Sequence, residues 1–320
     1  MRKNIGHVTI HKPCNDIGHI NDDGGSMADP SHQYFADPAL IAFDGKYYIY
    51  PTTDGSPDWS STEFRVLSSN DLHSWRDEGT VLRLGTDVPW ADRFAWAPAA
   101  AEKNGVHYLY FTADDNIGVA YGASPTGPFI DSGQPIVARD AHAGRAIDPS
   151  VFTDDDGTSY LVWGNGVANI ARLDDDMLGI DDTSVVSWED PTFREAAHVH
   201  RHRDRYYLTW SENDTRDPEY RVRWAVGEHP TGPWQHGGVL LEQRPDRGIL
   251  ATGHHSLLRV PGTDDWLIAY HRFARPGGDG THRELVIDSV HHLEDGALLP
   301  VEPSNSAISF TTVRPEHITS

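Results

Sequence analysis

The chain has 320 residues, a formal net charge of −22, a mean hydropathy of −0.53 and no apolar run of the length a membrane-spanning helix needs. So acidic a composition disfavours nucleic acid and anionic membranes, both polyanions, as partners, and leaves neutral ligands such as sugars open. The single cysteine, Cys14, excludes an intrachain disulfide. The 10 Trp and 12 Tyr suit stacking on sugar faces as well as the filling of a β core.

Taken in order, residues 1–28 are polar and rich in Gly and Asp around Asn21–Gly25. They are expected to form an arm, with one short strand at His7–His11, ahead of a single domain over 29–320. The start Met1–His7 carries charge but no apolar stretch of the signal-peptide kind. The expected location is therefore cytoplasmic, or secreted if a leader has been removed.

Asp37-Pro38 opens a strand that turns at Asp44-Gly45 and returns through Tyr47-Tyr48-Ile49-Tyr50. An Asp-Gly pair between alternating apolar residues is a strong hairpin signal. The hairpin recurs four times, opening at Trp96-Ala97-Pro98, Asp148-Pro149, Glu195 and His254-His255. Its aromatic returns are Tyr108–Phe111, Tyr160–Trp163, Tyr206–Trp210 and Trp266–Tyr270. Within the units, Pro125-Thr126-Gly127-Pro128-Phe129 is echoed by Pro230-Thr231-Gly232-Pro233-Trp234, and Ala307–Phe310 is a candidate last strand.

Repetition at 50–60 residues without helical periodicity predicts an all-β protein, a five-bladed β-propeller with four-stranded antiparallel blades around an axis. A sandwich of two large sheets would leave the fivefold recurrence unexplained.

Asp37 stands eleven residues before Tyr48; Trp96, Asp148, Glu195 and His254 each stand twelve before the matching aromatic. In a propeller the first strand of each blade is innermost, so these five side chains are predicted to gather at one mouth of the channel. Three carboxylates in a partly desolvated funnel repel one another, and their pKa values should separate into an acid and a base. Glycoside hydrolysis with inversion needs such a pair, held about 6.5–9.5 Å apart to admit water. Read singly, Asp37 and Asp148 would serve as turn initiators and Glu195 as a solvated strand end. The shared register is what gathers them.

His198, His200 and His202 alternate along one strand face. Residues two apart on a strand lie nearly 7 Å apart, too far for three in succession to grip one ion, so a hydrated outer face is expected. Gly-x-Gly-x-x-Gly, phosphate-loop and His-Glu-x-x-His patterns are absent from the sequence.

With Ala36-Asp37-Pro38, Trp96-Ala97-Pro98, Ile147-Asp148-Pro149-Ser150, Glu195-Ala196 and Gly253-His254-His255-Ser256 in order at blade spacing, the chain resembles glycoside hydrolase family 43 over residues 30–300. The resemblance implies Asp37 as general base, Glu195 as general acid, and Asp148 as the residue that orients the acid and keeps its pKa raised. It further implies Arg283 and Trp96 as sugar contacts, and His254 as an axial histidine beside calcium or water.

Many members carry Glu-Gly-Pro where this chain has Glu195-Ala196-Ala197, which leaves Glu189 and Glu212 as alternatives for the acid, neither in register. The expected activity is that of an inverting exo-glycosidase releasing terminal pentose from plant cell-wall oligosaccharides, α-L-arabinofuranosidase first and β-xylosidase second. An endo-arabinanase and a non-catalytic sugar-binding propeller are the alternatives. The expected partner is an oligosaccharide, and oligomeric state is left open.

Overall fold

The protein is represented by a computed structural model that describes residues 33–312. The arm expected over 1–28, and with it the strand expected at His7–His11, lies outside the described residues.

Five antiparallel sheets follow one another along the chain. The first holds β1 (Tyr34–Phe43), β2 (Lys46–Asp54), β3 (Glu63–Ser69) and β4 (Trp75–Arg83). The second holds β5 (Trp96–Lys103), β6 (Val106–Ala113), β7 (Asn116–Gly122) and β8 (Ile130–Asp131). The third holds β9 (Ser150–Thr153), β10 (Ser159–Trp163), β11 (Ala168–Arg172) and β12 (Val186–Trp188). The fourth holds β13 (Glu195–His202), β14 (Arg205–Glu212), β15 (Arg221–Gly227) and β16 (Gln235–Leu241). The fifth holds β17 (Gly253–Arg259), β18 (Trp266–Phe273) and β19 (Arg283–Val290).

The first strands touch in cyclic order, β1 to β5, β5 to β9, β9 to β13, β13 to β17 and β17 back to β1, so the sheets are the blades of a propeller with those strands at its axis. The expected hairpin turns are in place. Asp44 and Gly45 have φ of 49° and 76°, and Asn104 and Gly105 have 56° and 80°, the paired positive values that a two-residue turn requires.

Two blades depart from four strands. The fifth has three, because the segment after the turn at Glu294–Gly296 contributes only isolated bridges, Leu298 to His292 and Val301 to Leu241 of the fourth blade. The first gains β20 (Phe310–Thr312), paired parallel to β4. The buried Arg272 guides the chain there, donating to the carbonyls of Ser304 and Asn305 at 2.6 and 2.9 Å while its Nε meets Glu284 at 2.7 Å. Ile308 then bonds back to Leu285, and Phe310 packs on Phe35. The fifth blade is thereby clasped to the outer edge of the first.

Because successive side chains on a strand point to opposite faces, each blade feeds two cores. Tyr206, Leu208 and Trp210 join Phe152, Val162 and Ile170 of the third blade, whereas the intervening Tyr207 packs with Leu257, Ile268 and Tyr270 of the fifth. Tyr50, Phe64 and Phe111 fill the joint between the first and second blades, and Tyr110 and Trp163 the next. Leu40, Ile49 and Leu67 meet Ala269 and Leu285 to close the circle. Burying one such side chain contributes about 1.5–3 kcal/mol, so the two faces of every blade, neither wet, supply most of the driving force.

This arrangement overturns the hydrated outer face expected for His198, His200 and His202. Their face is turned to the fifth blade, where His198 nears His255, His200 packs against Trp266, and His202 stacks on His292 with centroids 4.0 Å apart. Burial from water drives the His200 pKa well below the usual imidazole value and that of His292 to about 3, with neighbouring imidazoles adding to the effect. The cluster is a neutral inter-blade packing element.

Candidate active site

The inner strands share a backbone device. Their pairing slips between Ala36 and Ala39, Trp96 and Ala99, Glu195 and His198, and Gly253 and Ser256. At each slip a non-glycine residue adopts the left-handed conformation: Asp37 (φ 49°), Ala97 (41°), Ala196 (57°) and His254 (44°). Asp148 (58°) does the same ahead of β9. Such residues are uncommon, and five at equivalent places mark a built feature. At each kink the left-handed residue or the one before it reaches the channel mouth.

The single register predicted for the five residues is thus corrected to two adjacent positions. Asp37, Asp148 and His254 are the left-handed residues, whereas Trp96 and Glu195 each precede one. All five still converge, because either position of the kink reaches the mouth. They line one cavity of about 360 Å³ together with Trp59, Phe94, Arg145, Arg194, Asp214, Thr215, Arg216 and Arg283. Glu212 is instead paired with Arg221 at 2.5 Å, and the exposed Glu189 is not among the lining residues.

Asp37, Asp148 and Glu195 are 7%, 6% and 9% exposed, so their surroundings decide their charge. Burial works against an ionised Asp37, but three cationic or proton-donating neighbours outweigh it and hold its pKa well below the usual range. His254 Nδ1 lies 3.2 Å from Asp37 Oδ1, Arg283 Nη1 3.2 Å and His271 Nδ1 3.0 Å. Arg283 is held in turn by Asp54, which accepts from its Nε at 2.8 Å, its Nη2 at 3.1 Å and its backbone N–H at 3.0 Å.

Asp148 behaves oppositely. Burial pushes its pKa up to about 7, and although His254 draws it down, the nearby carboxylates of Glu195 and Asp37 reinforce the rise. Its Oδ2 accepts the Ala196 N–H at 3.3 Å. Glu195 is gripped at both oxygens, by Tyr220 O–H at 2.9 Å and Asn165 Nδ2 at 2.7 Å. Tyr220 fits because residue 253 is glycine: a Cβ there would stand 2.3 Å from its ring. The Glu195 carboxylate thus favours a retained proton on the neighbouring Asp148.

The cavity wall is aromatic. Trp96 donates from Nε1 to the Trp59 carbonyl at 2.7 Å, Trp59 donates to the Gly280 carbonyl at 2.8 Å, and Phe94 packs on Trp96 with centroids 4.6 Å apart. The Arg216 guanidinium lies 5.6 Å from the Trp59 ring centre. Trp96 therefore faces the cavity and ties two of its walls together.

Among the described residues, one group of side chains has metal-ligand spacing: Asp148, Glu195 and His254, with ligand atoms within 4.8 Å of one another. Calcium takes six to eight oxygen ligands. Here both Glu195 oxygens and one Asp148 oxygen already accept hydrogen bonds, and His254 offers nitrogen. The set does not form a calcium cage, and His254 is engaged with Asp37.

The sequence did not single out Asn165, Tyr220, Asp54, Thr215, His271 or Trp59. The nearest thing to a signal lies toward the end of each aromatic run: Thr52, Thr112, Gly164 and Ser211 each stand four residues after the aligned aromatic, and His271 stands five after Trp266.

The sequence family described as "Glycosyl hydrolases family 43" matches residues 29–298, and the chain belongs to it, a family of glycoside hydrolases. A β-D-galactofuranosidase of Aspergillus niger is 32% identical over 88% of this chain and 86% of its own length. Xylosidase/arabinosidase 43A of Humicola insolens is 30% identical over 84% and 97%. Among solved structures, a GH43_1 enzyme of Xanthomonas citri complexed with xylose has a TM-score of 0.73 at 32% identity, covering 87% of this chain and 94% of that one. A β-xylosidase/α-arabinofuranosidase from a compost metagenome, in complex with xylotriose and calcium-free, has a TM-score of 0.72 at 31% identity, covering 84% and 94%.

Proposed function

We propose that this member of glycoside hydrolase family 43 is an inverting exo-glycosidase that removes a terminal pentose from arabinoxylan-type oligosaccharides, α-L-arabinofuranose first and β-D-xylose second. The observation that carries the reading is the opposed charge of two aspartates on one cavity. Asp37 is held as the anion and serves as general base, taking a proton from water as that water attacks the anomeric carbon. The glycosidic C–O bond breaks on the opposite side. Glu195, as general acid, delivers the proton retained by its pair with Asp148 to the leaving oxygen. Asp148 orients Glu195 and supplies the neighbouring carboxyl that keeps a proton available. Arg283 and Trp96 are the sugar contacts, and no step passes through a metal.

A cavity of about 360 Å³ lies at the small end of ligand sites, which supports removal of single terminal residues over cleavage within a chain. Arabinose stands first because relatives named for furanosides and for arabinose recur. The xylose and xylotriose bound in the structural neighbours favour β-xylosidase activity as the second reading.

Nitrophenyl α-L-arabinofuranoside and β-D-xyloside, with matching oligosaccharides, test substrate choice. Proton NMR of the first-released anomer tests stereochemistry, and a retained configuration would sink the mechanism. Asp37→Ala and Glu195→Ala are expected to lose about 10²–10⁴-fold in kcat. An unreactive leaving group should suffer most in the Glu195 variant. Chelation of divalent cations is expected to leave the rate within about twofold, as the donor set implies.

A further inference from the structure

The left-handed residues are held across the joints between blades. The N–H of Ala97 is accepted by the Thr52 hydroxyl at 2.7 Å, that of Asp148 by Thr112 at 3.0 Å, and that of His254 by Ser211 at 2.9 Å. Each hydroxyl lies one or two residues before the end of the second strand of the preceding blade. Each pairs with the residue just before a left-handed one, Thr52 with Ala36, Thr112 with Trp96 and Ser211 with Glu195. His271, paired with Gly253, occupies the same rung in the fifth blade, and its Nδ1 lies 3.3 Å from the Asp37 amide nitrogen. At the joint that closes the circle, an imidazole stands in the hydroxyl's place, its Nδ1 facing both the amide and the carboxylate of Asp37.

The imidazole reaches further than a hydroxyl can. The same Nδ1 lies 3.0 Å from Asp37 Oδ1, and Nε2 lies 3.2 Å from the Thr215 hydroxyl. Thr215 Oγ1 also accepts from Arg283 Nη1 at 3.2 Å, and that nitrogen donates to Asp37 Oδ1 at 3.2 Å. The directions are consistent. Thr215 accepts from Arg283 and gives its own proton to Nε2, so Nδ1 carries the ring proton and donates to the carboxylate. A bond to an ionised acceptor is about twice as strong as a neutral one, which favours this tautomer over the longer contact with the amide. Tyr220 stacks on the ring with centroids 5.6 Å apart and an interplanar angle of 10°, fixing its plane. Nothing about a joint alone requires this circuit, since a hydroxyl serves at three others.

We propose that His271 is a positioning residue for Asp37: with Thr215 and Arg283 it aims the carboxylate of the base, a task that the hydroxyls at three other joints, which hold the backbone of the left-handed residue, do not perform for the side chain of that residue. The inference rests on Asp37 being the base. His271→Thr installs the joint residue used elsewhere, and Thr215→Val opens the circuit from its other side. Each variant is expected to keep the wild-type Tm within a few degrees and its KM within about threefold, while kcat falls about 10- to 100-fold, the cost of a misplaced catalytic group. Their double variant should lose little more than either alone, because both break one circuit.

Wild-type kcat in His271→Thr, or additive losses in the double variant, would reduce His271 to a joint and overturn the proposal. So would a raised KM at unchanged kcat. If His271→Thr does not fold, Thr215→Val decides by the same criteria. Asp37→Ala separates the two readings. An active Asp37→Ala sinks the assignment of the base, whereas an inactive Asp37→Ala beside a fully active His271→Thr sinks only the role given to His271.

Discussion

Asp37 and Asp148 occupy the same backbone position in two blades. Both are left-handed, both precede proline, and both are buried, yet one is held as an anion and the other takes a proton near neutrality. Burial disfavours charge on each, so burial does not explain the difference. The neighbours do. Asp37 faces Arg283, His254 and His271, whereas Asp148 faces Glu195 and shares His254. The fold repeats a socket, and the blade on either side decides which chemistry the socket holds.

Removing the cation from the first socket should have the largest effect. Arg283→Met strands Asp54 as a buried carboxylate without its partner and is expected to cost about 3–5 kcal/mol in urea unfolding. Because Asp37 also loses a positive neighbour, its pKa should climb, and the acidic limb of kcat/KM should move to higher pH.

The second socket is sharpened by stability measured against pH. The folded-state pKa of Asp148, about 7, lies above its ordinary value, so its protonated form is the one that suits the fold. Its contribution is intact at low pH and is lost as pH rises through neutrality. From about pH 6 to about pH 8.5 this group should withdraw on the order of 1–2 kcal/mol. Asp148→Asn still offers an oxygen to the Ala196 N–H but cannot ionise, so its Tm should fall less over that interval. Parallel curves for the two proteins would contradict the raised value.

The smallest effect concerns the kink itself. Ala196 carries a Cβ at φ 57°, a conformation that suits glycine. Ala196→Gly is expected to raise stability by about 0.5–1 kcal/mol, read as a shifted urea midpoint at constant slope, with kcat within about twofold.

The same comparison shows why part of the site was legible in the sequence. The five hairpins carry period-2 patterning, and three of them turn at Asp44-Gly45, Asn104-Gly105 and Asp156-Gly157, local signals that expose the fold and place Asp37, Trp96, Asp148, Glu195 and His254 near strand starts. Local signals also set the limits. Spacing to the aromatics gives all five one position, because whether a left-handed residue or its predecessor reaches the mouth has no signature in residue type. The partners that set the charges come from far away: Asp54 meets Arg283 across 229 residues, and His271 meets Asp37 across 234. Asn165 and Tyr220 stand outside the named strands, where no periodicity ranks one polar residue above another. His198, His200 and His202 do share one strand face, but in a propeller both faces of a strand are covered, and the covering blade is not written in the strand.

The Asp37–His271 contact joins the earliest blade of the chain to the latest. During refolding, strand content can return blade by blade as each hairpin forms, but turnover has to wait for that last seam. Recovered hydrolysis therefore reports closure of the whole wheel, and a lag behind recovered circular dichroism is the expected sign if blades form before the seam closes.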